Sequence, residues 1–337
     1  MTRTILQERL ISIVKRFPGL RIVVVGDAIA DQFVYGAISR VSREAPVFIL
    51  RHEQTETVPG GAANCAVNLA SLGATVSLIA VAGADTAGRA LREKLEQAGV
   101  DCDCVLHLEE MQTTTKVRIL AGQLHSTRQQ VIRIDYDGTP LTNRQVHKQL
   151  RERAVEAALG ADALVISDYN YGVASVEMAD ALRAIAVSKE YPVLVDSRFE
   201  LSRFGGFTSA TPNEDEVEQL LPAGNNFVDL ESAGDRLRED LGYRALLITR
   251  GGHGMILLED GVAPLHVAAV GGSEPVDVTG AGDTVMATYS LALAAGASFS
   301  DAAHLANHAG GIVVMKRGTA AITAAELEHS IVNADVT

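Results

Sequence analysis

Tryptophan is absent from the 337-residue chain, cysteine occurs three times, and acidic residues outnumber basic ones by 42 to 29. No run of about 18 uncharged apolar residues occurs, so no membrane-spanning helix is expected. The net charge of −13 leaves no basic footprint for a phosphate backbone, and a nucleic-acid partner is not expected. Cys65, Cys102 and Cys104 form an odd set, and a C-x-C pair completes no zinc site without further ligands. They read as free thiols of a reducing cytoplasm. The nine histidines are scattered, and no metal site built by the protein alone is read from them. The start, MTRTILQERLISIVKRF, mixes charge with apolar residues and has no small-residue cleavage site, so no secretory leader is expected. G-K-[ST] occurs nowhere, which excludes a Walker A loop. VVVGDAIAD, after the first apolar run, lacks the G-x-G-x-x-G of a dinucleotide fold.

What is present is a composition that buries a large core, 47% hydrophobic with 30 glycines. Short β-branched runs at 21–27, 75–83, 162–169, 191–197 and 243–252 read as strands covered on both faces. Helical patterns lie between them, such as AANCAVNLASLG and NRQVHKQLRERAVEAALG, and several end in glycine. Repeated units of this kind predict an α/β fold with a doubly wound, mostly parallel sheet between helices. Residues 32–52 and 114–134 alternate polar and apolar side chains instead, the period of a strand with one wet face. They predict a small antiparallel sheet, a lid formed by about 32–54 and 107–136, on a single domain spanning 1–337. These two stretches hold Arg40, Arg43, Arg51, Lys116, Arg118, Arg128 and Arg133 against Glu44 alone, which suggests a local well for an anion. A solvated sheet face balanced by acidic helices is the alternative.

DVTGAGDT (277–284) precedes an apolar helical pattern. A tight turn entering a helix leaves the first amides unpaired at the positive end of the helix dipole, where anions bind. Gly280 and Gly282 would let backbone approach a ligand. A carboxylate at a helix start ordinarily has a lowered pKa, so Asp283 is expected ionised and able to accept a proton. The alternative is that Asp283 or Thr279 merely caps the helix while the glycines pack.

With PGGAANCAVNLASLG (59–73), TPNEDE (211–216) and ITRGGHG (248–254), DVTGAGDT completes four ordered motifs, by which the chain resembles the ribokinase/PfkB family of sugar kinases over nearly its full length. Within that family it is most similar to heptose 7-phosphate kinases, through GDAIADQFVYGAISRVSREAPV (26–47), TTTKVRIL (113–120), QQVIRIDYD (129–137) and SDYNYG (167–172). That subfamily is often fused to a nucleotidylyltransferase, and the likeness here is to its stand-alone form. Three departures lie in regions that, by the resemblance, would face the substrate. Arg43 replaces a proline, Asp196-Ser197-Arg198 stands for D-P-K, and Tyr171 occupies a lysine position.

The resemblance implies a ribokinase-like fold and ATP and Mg²⁺ as cofactors. It makes Asp283 the base for the acceptor hydroxyl, with Gly280, Ala281 and Gly282 supplying amides to the transferring phosphoryl group. Asp31, Gly60, Gly61 and Asn64 would bind the sugar, though an asparagine one turn into a helix can also cap or pack. Lys116 and Arg118, two apart on a strand, would hold the sugar's own phosphate or form a solvent-facing pair. Asp168 and Arg198 end strands at the edge where open α/β sheets bind ligands, and Asp168 could equally be a turn residue. Asn213 and Glu216 would lie near Mg²⁺ and the nucleotide phosphates, Glu216 mainly through water; alone, N-E-D-E reads as an acidic first helical turn. Thr249, Arg250, Gly251, Gly254 and Asn307 complete the implied nucleotide site. The expected reaction is phosphorylation of a sugar phosphate, with D-glycero-D-manno-heptose 7-phosphate at its anomeric hydroxyl foremost. Another sugar acceptor of ribose, fructose or fructose phosphate type, or a non-catalytic binding protein on a kinase fold, are the other readings. A cytoplasmic homodimer joined through the lid's open strand edges is also expected.

Overall fold

The structure is a computed structural model and describes residues 4–122, 128–138, 141–220, 229–272 and 274–334. Its strands are β1 (Arg21–Gly26), β2 (Ala28–Val41), β3 (Phe48–Gly61), β4 (Thr75–Gly83), β5 (Val105–Leu108), β6 (Thr115–Gly122) and β7 (Gln129–Tyr136). β8 (Ala163–Asp168), β9 (Val193–Ser197), β10 (Ser209–Ala210), β11 (Ala245–Thr249), β12 (Met255–Glu259) and β13 (Leu265–Val267) follow. The helices are α1 (Ile5–Val14), α2 (Ala62–Ser71), α3 (Thr86–Gln97), α4 (Arg144–Ala158), α5 (Val176–Lys189), α6 (Glu214–Leu220), α7 (Leu230–Leu241), α8 (Ala281–Ala294), α9 (Phe299–Val313) and α10 (Ala324–Asn333).

Nine strands form one sheet in the order β13-β12-β11-β10-β9-β8-β1-β4-β5, parallel except where β12 meets β11 and β13. β1 illustrates why the continuous apolar runs belong here. Ile22 and Val24 enter a core with α1, α2, α8 and α9, while Val23 and Val25 enter a second core with α4 and α5. A strand buried on both faces has no use for alternation. The chain winds outward from β1 to β4 on one side and returns to β8 on the other. That reversal opens a crevice beyond the carboxyl ends of β1 and β8.

The second sheet has the order β3-β2-β6-β7. It grows directly from the crevice, because β2 starts two residues after β1 and β3 runs into α2. The expected antiparallel sheet is in fact mixed, since β2 pairs with β6 in parallel. The chain leaves after the β2–β3 hairpin, adds β4 and β5 to the large sheet, and re-enters alongside β2 in the same direction. β5 therefore belongs to the large sheet, and the expected lid boundary at 107 falls inside it. Residues 123–127 of that expected segment lie outside the described residues.

Facing is set by register. Asp31 and Phe33 sit opposite Lys116 and Arg118 on one face. Val117 sits opposite Ile134 on the other, where Ile132 is 51% and Ile134 39% exposed.

Candidate active site

The start of α8 is a turn that only glycine fits. Asp277 shapes it, accepting from the amides of Thr279 and Gly318 at 2.9 Å each. Gly280 follows at φ +76°, and a Cβ there would lie 2.6 Å from Asn64 Nδ2. No side chain caps the helix. Asp283 instead turns inward, 4% exposed, and its two oxygens accept from Asn64 Nδ2 at 2.8 Å and from the Tyr169 hydroxyl at 3.0 Å. Two expectations change as a result. The Ala281 amide, expected to face an anion, donates to the Val278 carbonyl at 3.2 Å. Among the described residues, the amides of Gly280, Gly282 and Asp283 have no acceptor. The Asp283 pKa is raised rather than lowered. Burial pushes it up to about 6, against the pull of the Asn64 and Tyr169 hydrogen bonds.

The sugar-side candidates gather around this carboxylate in unequal ways. Asp31 is buried and paired with Arg118, whose guanidinium lies 5.5 Å from the Phe33 ring. Gly60 lies flush against it, since a Cβ there would come within 2.4 Å of Asp31 Oδ2. Gly61 adopts φ +58° as the first residue before α2. Asn64 is spent internally. Its amide donates to Asp283 and to the Gly280 carbonyl at 3.4 Å, and its oxygen accepts from Asn68 at 3.1 Å. These bonds tie the Asp283 carboxylate to α2.

Lys116 stands 5.4 Å from the Tyr169 ring centroid, and burial, then the nearby Arg198 charge, lowers its pKa. Arg198 is exposed beside Phe199. Among the described residues neither cation has a carboxylate partner. The anticipated basic well is smaller than its composition, because Arg118, Arg128 and Arg133 pair with Asp31, Glu53 and Asp135. Asp168 is buried at the end of β8. It accepts from Ser197 Oγ at 2.7 Å, Arg203 at 2.9 Å and the Asn170 amide at 3.1 Å.

On the other side of the crevice, Asn213 and Glu216 cap α6 reciprocally, side chain to amide at 2.9 Å in each direction. Glu216 remains half-buried with its pKa raised by burial. Thr249 ends β11, and Gly251 lies exposed in open space just after it. Three other candidates make contacts within the protein. Arg250 pairs with Glu214 at 2.7 Å, Asn307 donates to the Ala268 carbonyl at 2.7 Å, and Gly254 is held against the Val267 carbonyl, 2.0 Å from where a Cβ would stand.

Three residues were not singled out beforehand. Tyr169 holds Asp283. Asp27 is buried and accepts the amides of Tyr169, Tyr171 and Val173 at 2.9, 3.0 and 3.1 Å. Asp196 is the penultimate residue of β9, half-buried, its pKa pushed well up by burial and by the charges of Glu216 and Asp283. A position at or just past a strand's carboxyl end was the available signal for all three.

Among the described residues no group of three His, Cys, Asp or Glu could hold a metal ion. His304 and His308 do stand four apart on α9, but His308 Nδ1 shares a hydrogen bond with Ser330 at 2.9 Å. A concavity of about 400 Å³ between Leu108, Met111, Leu141 and Val146 shares no residue with the Asp283 constellation.

Comparison with known proteins addresses the fold and the family. Solved structures of low sequence identity share the fold. Arabidopsis thaliana ribokinase complexed with ribose and ATP aligns with TM-score 0.70 at 20% identity, over 93% of this chain and 99% of that one. Escherichia coli phosphofructokinase-2 in complex with potassium aligns with TM-score 0.76 at 21% identity, over 93% and 98%. Curated relatives include the bifunctional protein HldE of Hahella chejuensis, 41% identical over 94% of this chain, and that of Nitrosococcus oceani, 40% identical over 94%. The chain spans 64% of the length of each of these two relatives. The description "pfkB family carbohydrate kinase" matches residues 20–325. The chain belongs to the pfkB family of carbohydrate kinases.

Proposed function

We propose that the chain is an ATP-dependent kinase that phosphorylates the anomeric O1 of D-glycero-D-manno-heptose 7-phosphate. The observation that carries the reading is Asp283, a buried carboxylate fixed from both oxygens beside the unspent amides of Gly282 and of its own residue. The heptose is supported by the sequence resemblance and by relatives named HldE. Lys116 and Arg198, cations without a carboxylate partner among the described residues, suit an acceptor that already bears a phosphate.

In this reading Asp283, ionised above a pKa of about 6, takes the proton of O1. The O1–Pγ bond forms as the bond from Pγ to the β–γ bridging oxygen breaks, and that electron pair leaves with ADP. The amides of Gly280, Gly282 and Asp283 donate to the γ-phosphoryl oxygens, where charge must be stabilised in the transition state. Asp31 accepts from sugar hydroxyls, and Thr249 and Gly251 border the nucleotide. Glu216 and Asp196, half-buried and too few to cage an ion, fit Mg²⁺ that keeps its waters and takes its other ligands from phosphates. Bound there, Mg²⁺ would offset the charge of the nucleotide phosphates. Use of ATP points to the cytoplasm, and no helix among the described residues is long and apolar enough to cross a membrane. A homodimer through the small sheet completes the proposal.

The test is conversion of ATP to ADP with heptose 7-phosphate, unphosphorylated heptose, ribose, fructose and fructose 6-phosphate as acceptors. Heptose 7-phosphate is expected to give the highest kcat/KM. Preference for an unphosphorylated sugar would reject the substrate, and acceptor-independent ADP release with all five would reject the kinase reading.

A further inference from the structure

The loop after β8 is fastened far more heavily than a connection requires. Asp27 takes three of its amides, those of Tyr169, Tyr171 and Val173. Asp168, held by Ser197 and Arg203, takes the Asn170 amide, and Arg203 also reaches Asn170 Oδ1 at 3.3 Å. The Tyr171 hydroxyl donates to Asp137 at 2.8 Å. Asn170 is kept at φ +64°, a left-handed conformation that persists in a non-glycine residue only when its surroundings impose it. What this bracing delivers is one atom. The Tyr169 hydroxyl arrives 3.0 Å from Asp283 Oδ1, opposite the Asn64 amide on Oδ2.

We infer that Tyr169 is a positioning residue for Asp283. Its phenol and the Asn64 amide fix the plane of the carboxylate, and Asp27 sets the phenol. An ionised carboxylate has about four lone-pair sites, so two remain for an incoming hydroxyl after these two bonds. The ring has a second neighbour, Lys116, which couples the carboxylate's holder to the cation facing the crevice. Burial holds the phenol well above its ordinary pKa, so it stays a donor wherever Asp283 is ionised. The other groups that act on Asp283 are Asp31 from β2, Lys116 from β6, Asp196 from β9, and Asn64 and Cys65 from α2. Of these, Asn64 and Tyr169 make the direct bonds, and both stabilise the ionised form.

The inference rests on Asp283 acting as the base, and it is tested without relying on turnover. In protein labelled with [4-¹³C]aspartate, the carboxyl signal that vanishes in Asp283→Asn reports Asp283 directly. Its midpoint is expected near 6 in the native chain. Removing a donor to the charged form raises a carboxyl pKa, so Tyr169→Phe is expected to move that midpoint up by about 0.5–1 pH unit. The acid limb of kcat/KM should follow it, with kcat at pH 7 lower by ~5–50-fold and the KM for ATP within about twofold. Asp27→Asn, which keeps the hydroxyl but loosens its clamp, should shift the midpoint the same way by less. A kcat loss with the midpoint unmoved in both variants would overturn the inference and leave Tyr169 a packing residue. If ATP turnover instead survives Asp283→Asn, the base assignment fails, while the carboxyl titration still decides what Tyr169 does.

Discussion

In the large sheet, Ile22 and Val23 are chain neighbours that each enter a different core, whereas in the small sheet Ile132 and Ile134 share one face that ends on solvent. The β-branched composition is similar, but the environment is not. β1 is flanked by parallel strands and covered by helices on both sides, and a position buried so completely tolerates little displacement. Everything that holds Asp283 hangs from this frame, including Asn64 on α2, the Asp27 clamp after β1, and the loop after β8. The small sheet contributes Asp31, Lys116 and Arg118 from one face and leaves Ile132 and Ile134 exposed on the other. The comparison separates two tasks. In the proposed reaction, fixing the proton acceptor falls to the doubly buried frame, and meeting a charged acceptor molecule to the half-covered sheet.

Substituting on each side should break the molecule differently. On the frame, Asp283→Asn keeps the shape and the Asn64 contact but cannot accept a proton. Turnover should fall by ~10²–10⁴ while ATP binding, measured calorimetrically, persists. An unchanged rate would separate the carboxylate from the chemistry altogether.

On the small sheet, Lys116→Met keeps the stem over the Tyr169 ring and removes the charge. A charge-assisted contact contributes ~1.5–3 kcal/mol, so kcat/KM for heptose 7-phosphate should drop about 10–100-fold. The same ratio for unphosphorylated heptose should change little. An equal loss for both acceptors would place Lys116 with the chemistry and blur the division of tasks.

The two regions also differed in how well the sequence foretold them. Runs such as RIVVVG and ALVISD announce strands because burial on both faces leaves no other composition available. Alternation in β2 and β6 announces a strand with one wet face, yet says nothing about which neighbour it takes or in which direction, so their parallel pairing was not legible. β10, only two residues long, carries no pattern to read. At the site, the glycine turn that opens α8 was legible because a helix start is a local device. The Asn64–Asp283 bond spans 219 positions, and nothing local in the sequence announces it. For the same reason the Asp283 pKa was misjudged, since a helix end seen in sequence carries no information on burial. Tyr169 was read as the last residue of the strand run 162–169 and not singled out, when its place just beyond that strand's carboxyl end was the clue.

The smallest effect on chemistry is expected from the bare face itself. Ile132, Ile134 and Tyr136 are 51%, 39% and 46% exposed on the small sheet, facing away from Lys116 and Arg118. Fully covering one isoleucine contributes ~1.5–3 kcal/mol, so covering a cluster of such residues gives a second copy good reason to dock there. The double substitution Ile132→Asp with Ile134→Asp places charges where apolar surface would be buried. It should convert a sedimenting dimer to a monomer while kcat at saturating substrate stays within about threefold, because neither residue touches the Asp283 constellation. A native chain that sediments as a monomer would remove the dimer and leave the small sheet half-covered in solution. A dimer that survives both charges would move its contact to another face, and the contrast between the two sheets would then owe nothing to assembly.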